Sequence, residues 1–313
     1  MKDKRIVITG GAGFIGSNIA EELCTDNEVV IIDDLSSGHL RNIERLLKTN
    51  TVRFIQGSIT DLSLLGEAFA GADYVFHQAA QVSVQMSIEA PLRTNEVNVV
   101  GTLNVLTAAK DRGVRKVICA SSCAVYGNTS TLPITEDAPP DPESPYAVTK
   151  LTDEHYCRVF ALLYALPTVS LRYFNVYGPG QDPHSDYAAV IPKFITQSLR
   201  NQPLTVFGDG HQTRDFVFIT DVVQANISAA EAAAPGAYNI GTGQQTSVLE
   251  LASLVLKLAG RQSTISHRPP RAGEIRHSVA EISKAREFGY NPKHNIKEGI
   301  EKTIPSIKAS LIS

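Results

Sequence analysis

The sequence predicts an α/β protein in which a doubly wound parallel sheet carries a smaller, interleaved C-terminal domain for a substrate. Three observations lead there. Short β-branched runs alternate with longer helix-compatible segments through the first half, a glycine-rich turn joins the first run to the first helix, and an acidic residue closes the second run. With 313 residues, 43% hydrophobic and 19% charged, the chain has enough apolar side chain for a large core and too little charge for disorder.

The runs Arg5–Thr9, Glu28–Ile32, Val52–Ile55, Tyr74–His77 and Lys116–Cys119 are too apolar for strict alternation, as parallel strands covered on both faces require. A sixth strand is expected near Thr168–Arg172. The stretches Ser17–Leu23, Leu62–Phe69 and Asn98–Arg112 supply right-handed crossover helices, which places ligands at the carboxyl ends of the strands. After Tyr173 the rhythm changes to loops rich in Gly, Pro and Asp, then a helix near Val190–Arg200, a strand at Leu204–Phe207 and a helix near Ser247–Ala259. The segment Asp215–Ala233 is apolar enough to return to the first domain. Residues 1–173 are therefore expected to form a dinucleotide-binding domain to which 215–237 returns, and 174–214 with 238–313 a substrate domain.

Charge and composition exclude several classes. The 29 Lys and Arg against 32 Asp and Glu leave a net charge of -3, so no basic field gathers nucleic acid or anionic lipid. No apolar stretch reaches the roughly 18 residues of a membrane span, and Met1–Arg5 runs straight into a short strand, so a cytoplasmic protein with no membrane partner is expected. The four cysteines, Cys24, Cys119, Cys123 and Cys157, form no CxxC pair and have no His at zinc spacing; buried free thiols and no bound metal are expected.

Thr9-Gly10-Gly11-Ala12-Gly13-Phe14-Ile15-Gly16 stands between a strand and a helix. Gly10 permits the tight turn, Gly13 lets backbone approach a pyrophosphate, and Gly16 lets the helix pack on the strand with its N-terminus facing the anion. Asp33 can accept bonds from an adenosine ribose and repel a 2′-phosphate, which favours NAD over NADP.

Tyr146 and Lys150 are four apart in Ser144-Pro145-Tyr146-Ala147-Val148-Thr149-Lys150, on one face of a helix that Pro145 suits as a start. An ammonium beside a phenol favours the phenolate, so Tyr146 can act as a base near neutral pH. Ser121-Ser122-Cys123-Ala124-Val125-Tyr126-Gly127 follows the fifth strand, so its hydroxyls emerge at the same sheet edge as the glycine turn.

Taken together, these motifs and His77-Gln78-Ala79-Ala80, Arg172-Tyr173-Phe174-Asn175-Val176-Tyr177-Gly178-Pro179 and Thr213-Arg214-Asp215-Phe216 resemble, nearly end to end, an extended short-chain dehydrogenase/reductase. More narrowly, the chain resembles the NAD-dependent UDP-glucose/UDP-N-acetylglucosamine 4-epimerases. The resemblance implies a Rossmann-type domain, an enzyme with bound NAD, a UDP-sugar substrate and a homodimer joined through the helices that begin near Asn98 and Tyr146. On the dimer face, Val99, Leu103, Leu106, Val159, Phe160 and Leu163 are the expected apolar residues.

Residue by residue, the resemblance makes Ser122 the hydroxyl on the sugar O4, Tyr146 the acid/base and Lys150 the clamp on the nicotinamide ribose. Around the cofactor it sets Phe14, Ile15, Ser58, Ile59, Ala79, Ala80, Asn98 and Tyr173 beside the three glycines and Asp33. Around the substrate it sets Asn175 at the diphosphate, Arg214 and Arg271 on its oxygens, Thr205–Phe207 framing uracil, and Val190 and Glu274 nearby. Ser278, small, falls where a gate over the sugar C2 substituent would stand. Two departures are plain: Gly57-Ser58 replaces a Gly-Asp pair at the adenine, and Gln85-Met86 stands in the expected loop Gln81–Ile88 where relatives often have a cationic pair.

The activity implied is 4-epimerisation through a transient 4-keto sugar that turns and takes hydride back on its other face. Nucleotide-sugar dehydratases and decarboxylases share the fold. Dehydratases, however, carry an acid where Cys123 and Ala124 stand, since eliminating water needs an acid and a base. A non-catalytic NAD sensor would need the glycine turn but neither Tyr146 nor Lys150. Glucose, N-acetylglucosamine and a uronic acid all remain open as the sugar.

Overall fold

The computed structural model describes residues 1–182, 189–270 and 275–311. The expected runs form β1 (Arg5–Thr9), β2 (Glu28–Asp33), β3 (Val52–Gln56), β4 (Tyr74–His77), β5 (Lys116–Ser122) and β6 (Thr168–Tyr173). Between them lie α1 (Phe14–Leu23), α2 (Leu62–Ala68), α3 (Val84–Glu89), α4 (Pro91–Asn95), α5 (Gly101–Asp111) and α6 (Pro145–Tyr164). The remainder adds β7 (Asn175–Tyr177), α7 (Val190–Leu199), β8 (Leu204–Phe207), β9 (Thr213–Arg214), β10 (Phe216–Phe218), α8 (Ile219–Glu231) and β11 (Gly236–Ile240). After these come β12 (Thr246–Ser247), α9 (Val248–Leu258), β13 (Ile265–Arg268), α10 (Ser283–Arg286) and α11 (Ile296–Ser310).

Seven parallel strands form one sheet in the order β11-β6-β5-β4-β1-β2-β3. Side chains alternate across it. Ile6, Ile8, Val29 and Ile31 pack with Ile19 of α1 and Val222 and Ala225 of α8, while Val7, Val30 and Ile32 pack with Leu65 of α2, Val105 of α5 and Phe160 of α6. Both faces are covered, which is why the strands read as continuous apolar runs. Strand order reverses between β1 and β4, opening a crevice at the strand carboxyl ends, where ligands of doubly wound sheets bind.

The second half builds on short pairs, β7 with β10, β8 with β13 and β9 with β12. Its chain returns to the sheet twice: α8 covers one face, and β11 pairs with β6 from Gly236↔Val169 to Ile240↔Tyr173. The boundary expected after residue 237 thus falls inside β11. No helix among the described residues is long and apolar enough to cross a membrane.

Other readings change in detail. The helix expected from Asn98 opens with a wider π-type turn, Glu96–Val100, before α5. Part of the expected loop Gln81–Ile88 is α3, capped by the Ser83 hydroxyl on the Met86 amide at 3.2 Å. Leu106 and Phe160, expected on a dimer face, are buried in the core instead. All four thiols are free, but Cys123 is only half-buried: it opens a short 3-10 turn, Cys123–Tyr126, at the carboxyl end of β5.

Candidate active site

The glycine turn leaves β1 at the crevice. Gly10 has φ +68°, and a Cβ there would lie 2.6 Å from the Ala79 amide nitrogen, so only glycine lets β1 and β4 close up at this point. Gly16 likewise packs against Gly10, where a Cβ would collide with its carbonyl. Gly13 caps α1 with no side chain, which leaves the first amides of the helix, at Phe14 and Ile15, open to an anion. Asp33 is buried at the end of β2, its carboxylate accepting from the Ala12 amide at 3.0 Å and the Leu35 amide at 2.9 Å. Burial pushes this carboxyl above its usual range, against the pull of those amides. Gly38 faces it, and a Cβ at 38 would come within 2.7 Å of the carboxylate, so the carboxylate is reached over bare backbone. These features fit a dinucleotide: a side-chain-free cradle for the pyrophosphate and a carboxylate for a ribose.

Along the edge, Ser58 bonds the Thr60 hydroxyl at 2.9 Å, and Ile59 packs under Gly101. Ala79 and Ala80 follow β4. His77 closes β4 and is held on both ring nitrogens, by the Thr9 hydroxyl at 2.7 Å and the Thr102 hydroxyl at 2.9 Å. Burial, helped by the Lys150 charge, lowers its pKa to about 3, so it is a neutral structural imidazole. Asn98, fully buried, accepts from the Gln81 amide at 2.8 Å and donates to the Thr149 hydroxyl at 2.9 Å. It thereby fastens the segment after β4 to α6. The Tyr173 hydroxyl is turned to Asn226 at 2.9 Å and Gln78 at 3.2 Å, so its phenol is already used inside the protein.

α6 begins with the Ser144 hydroxyl on the Ala147 amide at 3.2 Å and Pro145 in its first turn, which sets Tyr146 at the sheet edge. The Ser87 hydroxyl of α3 receives the Tyr146 amide at 3.1 Å. Ser122 ends β5, and its hydroxyl lies close enough to the Tyr146 phenol to favour its ionised form. Burial leaves the pKa of Tyr146 above its ordinary value although Lys150 and Ser122 pull it down, so Lys150 alone does not make the phenolate expected near neutral pH. Lys150 is 3% exposed and donates to the Ala120 carbonyl at 3.0 Å and to Asp153 at 3.4 Å. Burial works against its charge, but Asp153 and Tyr146 outweigh that and keep it an ammonium. Ser122, Tyr146 and Lys150 are thus one cluster.

Beside it a cleft of about 460 Å³ is lined by Asn175, Val190, Thr205, Phe207 and Arg214, with Val82 and Phe174 toward the sheet edge. Gln197 on α7 holds Thr205 through its amide and hydroxyl, each at 3.2 Å, so the strand wall is fixed from behind. Cys123, next to Ser122, feels the Arg214 charge and lies near Ser278; its thiol, pushed up to about 11 mainly by burial, stays neutral. Ser278 is 5% exposed and so is no surface serine. Arg271 and Glu274 lie outside the described residues. Gln85 and Met86 are exposed on α3, Gln85 bonding Glu89 at 2.8 Å.

Sequence reasoning missed three participants. Gly38 has no motif around it. Thr102 acts only through the depth of its helix. Asp153 did carry a signal, since three residues beyond Lys150 it must share a helical face with it.

Comparison with known proteins identifies the family. Residues 6–241 match the model of the NAD dependent epimerase/dehydratase family. The UDP-glucose 4-epimerase of Mycolicibacterium smegmatis is 40% identical over 305 residues, 96% of this chain and 97% of that protein. The UDP-N-acetyl-alpha-D-glucosaminuronate decarboxylase of Bacillus cytotoxicus is 37% identical over 316 residues, 96% of this chain and 97% of that one. Among solved structures, the UDP-N-acetylglucosamine 4-epimerase of Methanobrevibacter ruminantium M1, in complex with UDP-N-acetylmuramic acid, superposes with a TM-score of 0.97 at 38% identity, covering 99% of this chain and 100% of that one. The chain belongs to the NAD dependent epimerase/dehydratase family, as an enzyme of the extended short-chain dehydrogenase/reductase kind with NAD as its cofactor.

Proposed function

We propose that the protein is a UDP-hexose 4-epimerase acting on UDP-glucose/UDP-galactose and on UDP-GlcNAc/UDP-GalNAc. The observation that carries this reading is the cluster of Ser122, Tyr146 and Lys150 beside a cleft walled by Asn175, Thr205, Phe207 and Arg214. The glycine turn Gly10–Gly16 and Asp33 would hold NAD, which would supply a reversible hydride acceptor for the sugar C4. Ser122 holds the sugar O4, and Tyr146, as phenolate beside the Lys150 ammonium, takes the hydroxyl proton and later returns it to the same oxygen. Lys150 has a third N–H beyond its bonds to Ala120 and Asp153, which suits a ribose hydroxyl.

Arg214, and Arg271 from outside the described residues, anchor the diphosphate while the hexose turns. A guanidinium suits that task because it grips two oxygens at once. Residues 1–173 with 215–237 form the cofactor part of this scheme and the rest the sugar-nucleotide part. The similarity to epimerases supports the reading, but decarboxylase relatives are nearly as similar. What favours epimerisation over dehydration is Cys123 and Ala124: a thiol held neutral and a methyl group offer no acid and base for eliminating water. Product formed in D₂O tests it: the 4-epimer should keep hydrogen at C4, and a dehydrated or decarboxylated product would refute the reading.

A further inference from the structure

A carboxylate lies beneath the cluster that the epimerase scheme does not use. Asp153 of α6 is wholly buried, with one oxygen 3.4 Å from the Lys150 ammonium. Its other oxygen, Oδ1, is buried without a hydrogen-bond partner. A purely architectural carboxylate is expected to fill its lone pairs, as Asp215 does with Thr242, Gly243 and Ala280, because an unsatisfied buried charge is costly. Asp153 instead spends its charge on Lys150.

The other groups around Asp153 leave that pairing intact. On α6, Glu154 is taken by Arg172 at 2.7 and 2.8 Å and by the Ser121 hydroxyl at 2.5 Å. Cys157 of α6 lies against Cys119 of β5, whose thiol is held neutral. From α5 Thr102 lies near enough to pull the carboxyl pKa down, but its hydroxyl is hydrogen-bonded to neutral His77 of β4. Tyr146, two turns earlier on the same helix, lies within reach of its field.

We propose that Asp153 is a positioning residue for the Tyr146–Lys150 pair: its carboxylate fixes the ammonium, offsets its charge, and so sets how readily Tyr146 ionises. This rests on the reading of Tyr146 as the base. While Asp153 is ionised, Lys150 is partly neutralised and the phenol keeps its proton longer; once Asp153 takes a proton, the bare ammonium favours the phenolate. Burial pushes the Asp153 carboxyl up to about 6 against the pull of Lys150, so both states lie near neutral pH. The two ionisations are coupled, and a lost carboxylate must appear as a shift at the phenol.

The test follows Tyr146 itself by ¹³Cζ-tyrosine NMR of the protein with its cofactor, without substrate, using Tyr146→Phe to assign the signal. Asp153→Asn should lower the Tyr146 midpoint by about one pH unit, roughly tenfold in phenolate population below it, and Asp153→Glu should restore the wild-type midpoint. In the wild type the same resonance should show a second, small inflection near pH 6, where Asp153 takes its proton. That inflection decides the matter if Asp153→Asn does not fold. An unmoved midpoint in folded Asp153→Asn, or a wild-type curve with no acid inflection, overturns the proposal. Because no turnover is measured, a wild type that fails to epimerise UDP-sugars would count against the epimerase reading alone.

Discussion

The hydroxyl of Ser122 lies beside the phenol of Tyr146 and favours its ionised form, although 22 residues separate the end of β5 from the start of α6. Two devices bring them together: the Ser144 cap with Pro145, which starts α6 at the sheet edge, and the Asn98–Thr149 bond, which ties that helix to the segment after β4. The pair is therefore held by backbone and buried polar contacts on rigid elements, as a site needs if a proton is to move between fixed atoms.

The cofactor released from precipitated protein should be NAD, not NADP. Asp33 offers a carboxylate to a ribose hydroxyl, repels a 2′-phosphate, and has no cation in Asp34, Leu35, Ser36 or Ser37 to offset it. Chromatography of the supernatant identifies the nucleotide; mainly NADP would mean that Asp33 does not face the ribose.

Ser278→Tyr should suppress turnover of UDP-GlcNAc while leaving UDP-glucose nearly untouched. Ser278 is buried against Cys123, one residue from Ser122, and a tyrosine there would fill the space an acetamido group needs. Product ratios for both substrate pairs check this; unchanged UDP-GlcNAc turnover would show that Ser278 is no gate.

Stability should rise with pH between about 3 and 6.5 through His77. Its folded pKa of about 3 lies below the ordinary histidine value of 6.5, so within that window the unfolded chain binds the extra proton. The contribution is complete above the unfolded value and is lost as pH falls through the window, at about 1.4 kcal/mol per pH unit. Urea unfolding of the wild type and of His77→Gln at pH 5 and pH 7 measures it. The variant should show a smaller pH difference; an equal difference would place the effect elsewhere.

A homodimer is expected in light scattering at micromolar concentration. Leu92 is 87% exposed and Leu162 and Leu163 71% each, with Val100, Val148 and Val159 between 40% and 49% on the same helices. An apolar surface of that kind fits a helix-pairing interface. Leu162→Glu with Leu163→Glu should give a monomer; a wild type that is monomeric already refutes the expectation.

The sheet was legible because each strand is a bounded β-branched run covered on both faces, and the glycine turn because steric demands at Gly10 and Gly16 leave little choice of residue. Tyr146, Lys150 and Ser122 could be found from spacing and sheet-edge position. Periodicity alone failed for Leu106 and Phe160, since a helix apolar on more than one face does not say which face meets the sheet. Asp153 looks from its type like a solvated helix residue. In the sequence its spacing from Lys150 is the one sign of its place, and the packing of α5 and β5 against α6 turns it inward.

The most direct test of the account is product analysis with wild type and Tyr146→Phe on UDP-glucose and UDP-GlcNAc. The wild type should reach equilibrium with each 4-epimer, and the variant, which keeps the ring but loses the ionisable hydroxyl, should retain its NAD and slow by roughly 10²-fold or more. A variant that epimerises at nearly the wild-type rate, or a wild type whose product is dehydrated or decarboxylated, would contradict it.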